Sequence, residues 1–452
     1  MRFATSMTAR AIGIALLLLA LPRVAAADLV DDIVNAALKR QGVPGVSVAI
    51  VRDGSIVKAE GYGLANTELD VRATPQTVYQ IGSVSKQFIA AGIMLLVQDG
   101  KMSLDDKASK YLAGTPAAWQ AITVRHLLTH TAGIVNEPPA FDPFKLQSDA
   151  DLVKSAYSAP MLFVPGADWA YSNTGYFALA DIIRTVSGEP WDAFLQKRLF
   201  RSLAMTSTRT TTMEMVSNRA SGYTATNGKM SNAPPILAVR PSGAFLSTVL
   251  DLAKWDAALS AGSLLPAATL NQMWEPVRLN GGGSYPYGFG WQVDTVAGHK
   301  RVHHSGTMPG FRATIQRYLD DRLTVIVLVN AGTADPGSIA RQIAESYVPD
   351  LVEPRPAAPQ RTAIKVDPSS FDAYVGRYQP NPAITVTVSR EGDKLMFESA
   401  GGKVELLPDS ENSFFSNALP ITISFVKDET GKVTHLILLN DGREAGRARK
   451  IE

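Results

Sequence analysis

A chain of 452 residues with 46% hydrophobic and 19% charged residues can bury a large core, which excludes bulk disorder and leaves room for two or three domains. Its formal net charge of +2, with no Lys/Arg cluster, gives no electrostatic footprint for nucleic acid. The absence of cysteine excludes disulfides, thiolate metal sites, a cysteine nucleophile and a lipid-modified N-terminal cysteine, so the core alone must carry stability.

The first residues read as an export leader. Arg2 and Arg10 are positive, Ala11 to Leu21 is apolar, and Ala25-Ala26-Ala27 offers small residues for cleavage before Asp28. The apolar run is short for a bilayer span, and no second long apolar stretch follows. The reading is therefore a leader over 1–27 and a periplasmic or secreted product with no stable membrane span. An uncleaved anchor helix is the competing reading. Next, Gly45 to Val51 alternates and is β-branched, Arg52-Asp53-Gly54 is a turn, and Ser55 to Tyr62 returns as a strand. Far along the chain, Arg312 to Tyr318 and Leu323 to Val329 form a second hairpin about Asp320-Asp321, followed by a helical pattern over Ile339 to Tyr347. The stretch between the hairpins is helical and loop-rich. This arrangement predicts one sheet shared by N- and C-terminal strands, a helical lobe between them, and a cleft where they meet.

Inside the helical stretch, Gln80-Ile81-Gly82-Ser83-Val84-Ser85-Lys86-Gln87-Phe88 leads into an apolar helix that Gly100 stops. Ser83 and Lys86, three residues apart, share one face. A serine hydroxyl needs a neighbour to take its proton, and a lysine in a dry cleft has a lowered pKa and can serve. The helix start favours developing negative charge. Alone, the spacing is also that of a capping serine followed by a surface lysine. His126 and His130, four apart, lack the glutamate that a zinc-protease helix needs, since Leu127 stands there, and read as structural.

Two further stretches change the weight of Ser83. Tyr171-Ser172-Asn173 follows Pro165-Gly166, and His304-Ser305-Gly306-Thr307 precedes the second hairpin. With Ser83-Val84-Ser85-Lys86 and in this order, they resemble the serine β-lactamase and penicillin-binding protein superfamily. The Tyr-x-Asn form is similar to class C β-lactamases and related peptidases and esterases. His126-Leu127-Leu128-Thr129-His130-Thr131-Ala132-Gly133, Gly243-Ala244-Phe245-Leu246-Ser247-Thr248 and Tyr287-Gly288-Phe289-Gly290-Trp291 add to the match, which covers about Leu29 to Tyr347. The resemblance implies that Ser83 forms an acyl-enzyme, that Lys86 keeps the site positive and shuttles protons, and that Tyr171 is the general base, acidified by Lys86. It implies that Asn173 bonds the substrate amide and Lys86, and that the backbone N–H groups of Ser83 and Thr307 form the oxyanion hole. His304 stands where β-lactamases carry lysine. As a mostly neutral group at pH 7, it implies a weaker, pH-dependent hold on a substrate carboxylate, shared with Ser305 and Gly306.

Prolines 349, 354, 356, 359 and 368 mark a linker over 349–368. Beyond it, strand patterns at Ile384–Ser389, Lys394–Glu398, Val404–Leu407, Ile421–Val426 and Val433–Leu439 predict a small antiparallel barrel or sandwich over 369–452. With Tyr374-Val375-Gly376-Arg377-Tyr378, this segment looks like the lipocalin-like domain of some β-lactamase-related hydrolases. The whole reading is an α+β fold: a β-lactamase/transpeptidase-like antiparallel sheet with a helical lobe over 28–348, plus a C-terminal antiparallel β-barrel. Its function is an exported serine hydrolase acting through acyl-Ser83 on D-amino-acid peptides, β-lactams or small esters. No cofactor and no metal are expected. The partner is a small-molecule or peptide substrate, and self-association is left open. The alternative is a penicillin-binding sensor or a non-catalytic scaffold on the same fold.

Overall fold

A computed structural model describes residues 22–211, 213–226, 229–243, 245–352, 363–381, 384–399, 402–419, 421–440 and 443–451. The charged and apolar parts of the leader, residues 1–21, lie outside the described residues, as does Ala244 of the Gly243–Thr248 motif. The chain forms two compact units, Met1–Glu353 and Pro354–Glu452.

In chain order the first unit carries α1 (Pro22–Gln41), β1 (Gly45–Arg52), β2 (Ser55–Asn66), β3 (Val71–Arg72), α2 (Lys86–Gln98), α3 (Val124–Leu128), α4 (Asn173–Ser187), α5 (Val249–Ala261), β4 (Gln292–Val296), β5 (His299–Met308), β6 (Phe311–Tyr318), β7 (Leu323–Val329) and α6 (Pro336–Tyr347), among shorter elements. The long strands form one antiparallel sheet in the order β4-β5-β6-β7-β1-β2-β3. The two predicted hairpins thus meet at its centre, with Val46 opposite Val329 and Ala49 opposite Ile326.

Central β1 and β7 are buried along almost their whole length, which two covered faces require. Their alternate residues serve two cores. Val46, Val48, Ile50, Val325 and Val327 pack with Val30 and Val34 of α1 and Ile339 and Ile343 of α6. Ala49, Val51, Ile326 and Leu328 face the helical lobe with α2, α4 and α5. Helix α2 is buried over all but its last two residues. Its sequence is apolar on every side, as a helix through the middle of a lobe must be. It ends at Gln98, with Gly100 in the left-handed region at φ +70°, as the stop signal predicted.

The lobe is pinned to the sheet by one buried ion pair. Arg317 Nε on β6 lies 2.5 Å from Asp256 Oδ1 on α5. Thr324 of β7 donates to the same carboxylate, and the guanidinium stacks over Trp274.

The second unit is a closed eight-stranded antiparallel barrel: β8 (Gly376–Asn381), β9 (Ile384–Glu391), β10 (Lys394–Ser399), β11 (Gly402–Pro408), β12 (Ser413–Phe415), β13 (Ile421–Lys427), β14 (Val433–Asn440) and β15 (Arg443–Lys450). Closure removes sheet edges, so the barrel form wins over a sandwich. Tyr374, Tyr378, Phe397, Phe414 and Phe425 fill its core.

Candidate active site

The site begins at a seam between two backbones. Residues Gly82–Ser85 form a short 3-10 turn ahead of α2, so Ser83 sits one element earlier than a helix N-terminus. The turn presses against β5 too closely for side chains. A Cβ on Gly306 would stand 1.9 Å from the Ile81 carbonyl oxygen, and one on Gly82 (φ +52°) would stand 2.5 Å from the Thr307 nitrogen. Only glycine fits either place. The seam brings the backbone nitrogens of Ser83 and Thr307 to one locality. On β5 the pleat turns Ser305 and Thr307 outward and His304 and Gly306 inward.

Lys86 opens α2 and is wholly buried, an unusual place for an ammonium. Its Nζ lies 2.7 Å from Asn173 Oδ1, 2.9 Å from the Ser242 carbonyl oxygen and 3.3 Å from Ser83 Oγ. Burial holds its pKa well below the ordinary lysine value; the Arg240 charge pushes the same way and Glu137 opposes it. Tyr171 completes the group. Its ring lies 4.7 Å from Lys86 Nζ, and Ser83 is among the groups that act on its phenol. Burial raises the phenol pKa, outweighing the Ser83 hydrogen bond that lowers it.

These two shifts oppose the expectation that Lys86 acidifies Tyr171. Burial pushes both groups toward their neutral forms, because a desolvated site disfavours either charge. A neutral lysine has two N–H donors and one lone pair. In that form Asn173 Oδ1 and Ser242 O would take the two donors, and the lone pair would face the Ser83 hydroxyl.

His304 also differs from its sequence expectation. It is buried with both ring nitrogens engaged. Nδ1 lies 2.6 Å from the Ser305 carbonyl, which can only accept, so Nδ1 carries the proton. Nε2, 2.9 Å away, then accepts from the Tyr287 hydroxyl. Burial, the largest cause, lowers its pKa to about 3. A neutral, saturated ring has no donor left for a substrate carboxylate, so His304 shapes the wall and the exposed Ser305 and Thr307 face outward beside it.

Three contributors carry no role at the site in the sequence reading, which takes His130 as structural and singles out neither Glu137 nor Arg240. His130 lies beyond α3, with backbone φ +60°. Its ring centre lies 4.3 Å from that of Tyr171 with the planes tilted by 39°, and its Nδ1 accepts from the Ser172 backbone N–H. It underlies the site and is not a second face residue of a helix with His126. Glu137 accepts from Asn173 Nδ2 at 2.6 Å, and Arg240 pairs with the same Oε1 at 2.6 Å. No sequence spacing ties residue 137 to residue 240. Among the described residues, no group of three or more His, Asp or Glu side chains could hold a metal ion. No described helix is long and apolar enough to cross a membrane.

This geometry meets a clear comparison. The Beta-lactamase family model matches residues 30–347. The chain belongs to that family. The barrel segment, residues 360–448, matches a family described as a domain of unknown function, DUF3471. Penicillin-binding protein 4* of Bacillus subtilis strain 168 is 30% identical over 425 residues, covering 88% of this chain and 93% of the relative. The octameric penicillin-binding protein homologue from Pyrococcus abyssi superposes with a TM-score of 0.67 at 25% identity, covering 94% of this chain and all of the other. D-amino acid amidase from Ochrobactrum anthropi SV3, solved with D-phenylalanine, shares the fold at TM-score 0.62 and 24% identity over 72% of this chain and 99% of its own. A β-lactamase-like serine hydrolase family therefore accommodates both the sheet-and-lobe unit and the cluster at Ser83.

Proposed function

We propose that this chain is an exported hydrolase that works through an acyl-Ser83 intermediate. The observation that carries the reading is the buried Lys86 Nζ, 3.3 Å from Ser83 Oγ with its other contacts satisfied by Asn173 and Ser242. Export rests on the leader-like sequence of 1–27.

Ser83 Oγ attacks the acyl carbonyl while its proton passes to the Lys86 amine. The carbonyl oxygen becomes an oxyanion between the N–H groups of Ser83 and Thr307. As the tetrahedral species collapses, the Tyr171 hydroxyl gives its proton to the leaving group and the Lys86 ammonium returns one to Tyr171. Water then attacks the acyl-Ser83, losing a proton to the same pair, and Ser83 Oγ leaves reprotonated. The first base is thus Lys86, and Tyr171 is a relay, because burial favours the neutral form of each. Activity is expected to rise with pH as Lys86 deprotonates, and then to level.

The substrates that suit this chemistry are D-amino-acid peptides and amides, β-lactams and small esters. A panel of nitrocefin, a D-Ala-D-Ala peptide, a D-amino-acid amide and a p-nitrophenyl ester is expected to yield at least one turnover that Ser83→Ala abolishes. Acylation without turnover on every member would make the chain a penicillin-binding sensor. No acylation at all would make it a scaffold.

The state of His304 gives a second test. A protonated histidine would grip a carboxylate below about pH 6.5 and release it above. A His304 neutral down to about pH 3 cannot switch in that range. KM for a carboxylate-bearing peptide is expected to stay flat from about pH 5.5 to 8. A KM that climbs through about pH 6.5, and does so only with His304 present, would contradict the buried, neutral assignment.

A further inference from the structure

Beyond the nucleophile and its base, the loops at 135–148 and 229–243 meet in a built clasp. The backbone N–H groups of Leu237 and Ala238 both donate to the Pro143 carbonyl. Arg240 lies over the Phe141 ring, 4.4 Å from its centre, and pairs with Glu137. Two residues beyond Arg240, the Ser242 carbonyl accepts from Lys86. On the other side, Glu137 receives Asn173 Nδ2. An amide has two unlike ends. A carboxylate can only accept, so Glu137 forces the NH₂ end of Asn173 toward itself and the carbonyl end toward Lys86. The reverse orientation would set N–H donors of Asn173 and Lys86 against each other.

We propose that the Glu137–Arg240 pair is a positioning device for the acylation centre: Glu137 fixes the orientation of the Asn173 amide, and Arg240 anchors Glu137 and balances its charge beside Lys86. The inference rests on the acyl-Ser83 reading. It adds two residues that touch neither nucleophile nor base and yet set the state of the base. Other ionisable groups around Lys86 stay constant through the test. They are Tyr171 and Tyr176, whose rings lie 4.7 and 5.2 Å from Nζ, and the buried His130 and His304, both neutral.

The test is the pH profile of kcat/KM with a p-nitrophenyl ester, on the full chain and single substitutions. Arg240→Gln leaves the Glu137 charge unbalanced, so Lys86 keeps its proton to higher pH and the acid limb is expected to move up by about one unit. Glu137→Gln retains an acceptor for Asn173 but leaves Arg240 unbalanced, so the limb is expected to move down. Arg240→Lys keeps the charge and should restore the wild-type midpoint. Glu137→Ala also frees the amide, and kcat is expected to fall by about tenfold to a hundredfold. Opposite shifts, with rescue by Arg240→Lys, establish the inference. Unchanged midpoints in both Gln variants, or shifts of the same sign, overturn it and leave the acyl-Ser83 reading standing. If one Gln variant does not fold, the other still decides by the sign of its shift. Wild-type activity that survives Ser83→Ala would overturn the acyl-Ser83 reading itself, and this inference with it.

Discussion

Replacing Ser83 by alanine is expected to lower turnover by about 10⁴-fold or more without loss of the fold. The hydroxyl is half-buried, and its partners Lys86 and Tyr171 keep other contacts when it goes. What is lost is the atom that forms the covalent bond. Lys86→Ala is expected to lose most of the same activity, because it removes the amine that lies 3.3 Å from Ser83 Oγ. The double replacement should cost little more than either alone, since residues that act as a unit do not add. Burst and steady-state release from an activated ester would check all three variants.

The largest stability effect is expected at the buried ion pair between lobe and sheet. Asp256→Ala removes the partner of Arg317 and an acceptor for Thr324, leaving a guanidinium that is 4% exposed without its countercharge. Breaking a buried pair in this way costs about 3–5 kcal/mol. Tryptophan fluorescence through a urea titration reads it directly, because Trp119, Trp169, Trp191, Trp255, Trp274 and Trp291 all belong to the first unit. The site is expected to lose activity in step, since α5 and the sheet frame the seam that holds Ser83.

The parts of this molecule that could be read from sequence are those with local periodicity or motif order. Both central hairpins, the apolar α2 and five barrel strands show alternation or helical spacing in their own residues. β15, written Arg443-Glu444-Ala445-Gly446-Arg447-Ala448-Arg449-Lys450, shows none, and only barrel closure makes it a strand. The same divide runs through the site. Ser83, Lys86, Tyr171 and Asn173 announce themselves by spacing and order. Glu137 and Arg240 are 103 residues apart, and only the fold brings them together. The lowered pKa of Lys86 follows from its dry cleft, whereas the direction of the Tyr171 shift was hidden for another reason. Charge proximity alone suggests that lysine acidifies tyrosine, but burial is the largest cause acting on Tyr171 and raises its phenol. His304 follows the same rule: its position in the motif was legible, and its burial was not.

Ser83 Oγ is the atom expected to carry the acyl group. Intact mass spectrometry after a fluorophosphonate probe, followed by peptide mapping, tests it most directly. One adduct is expected on the wild-type chain, mapped to the peptide bearing Ser83, with slow labelling in Lys86→Ala and none in Ser83→Ala. An adduct of equal yield in Ser83→Ala, or one mapped to another residue of the wild-type chain, would contradict it.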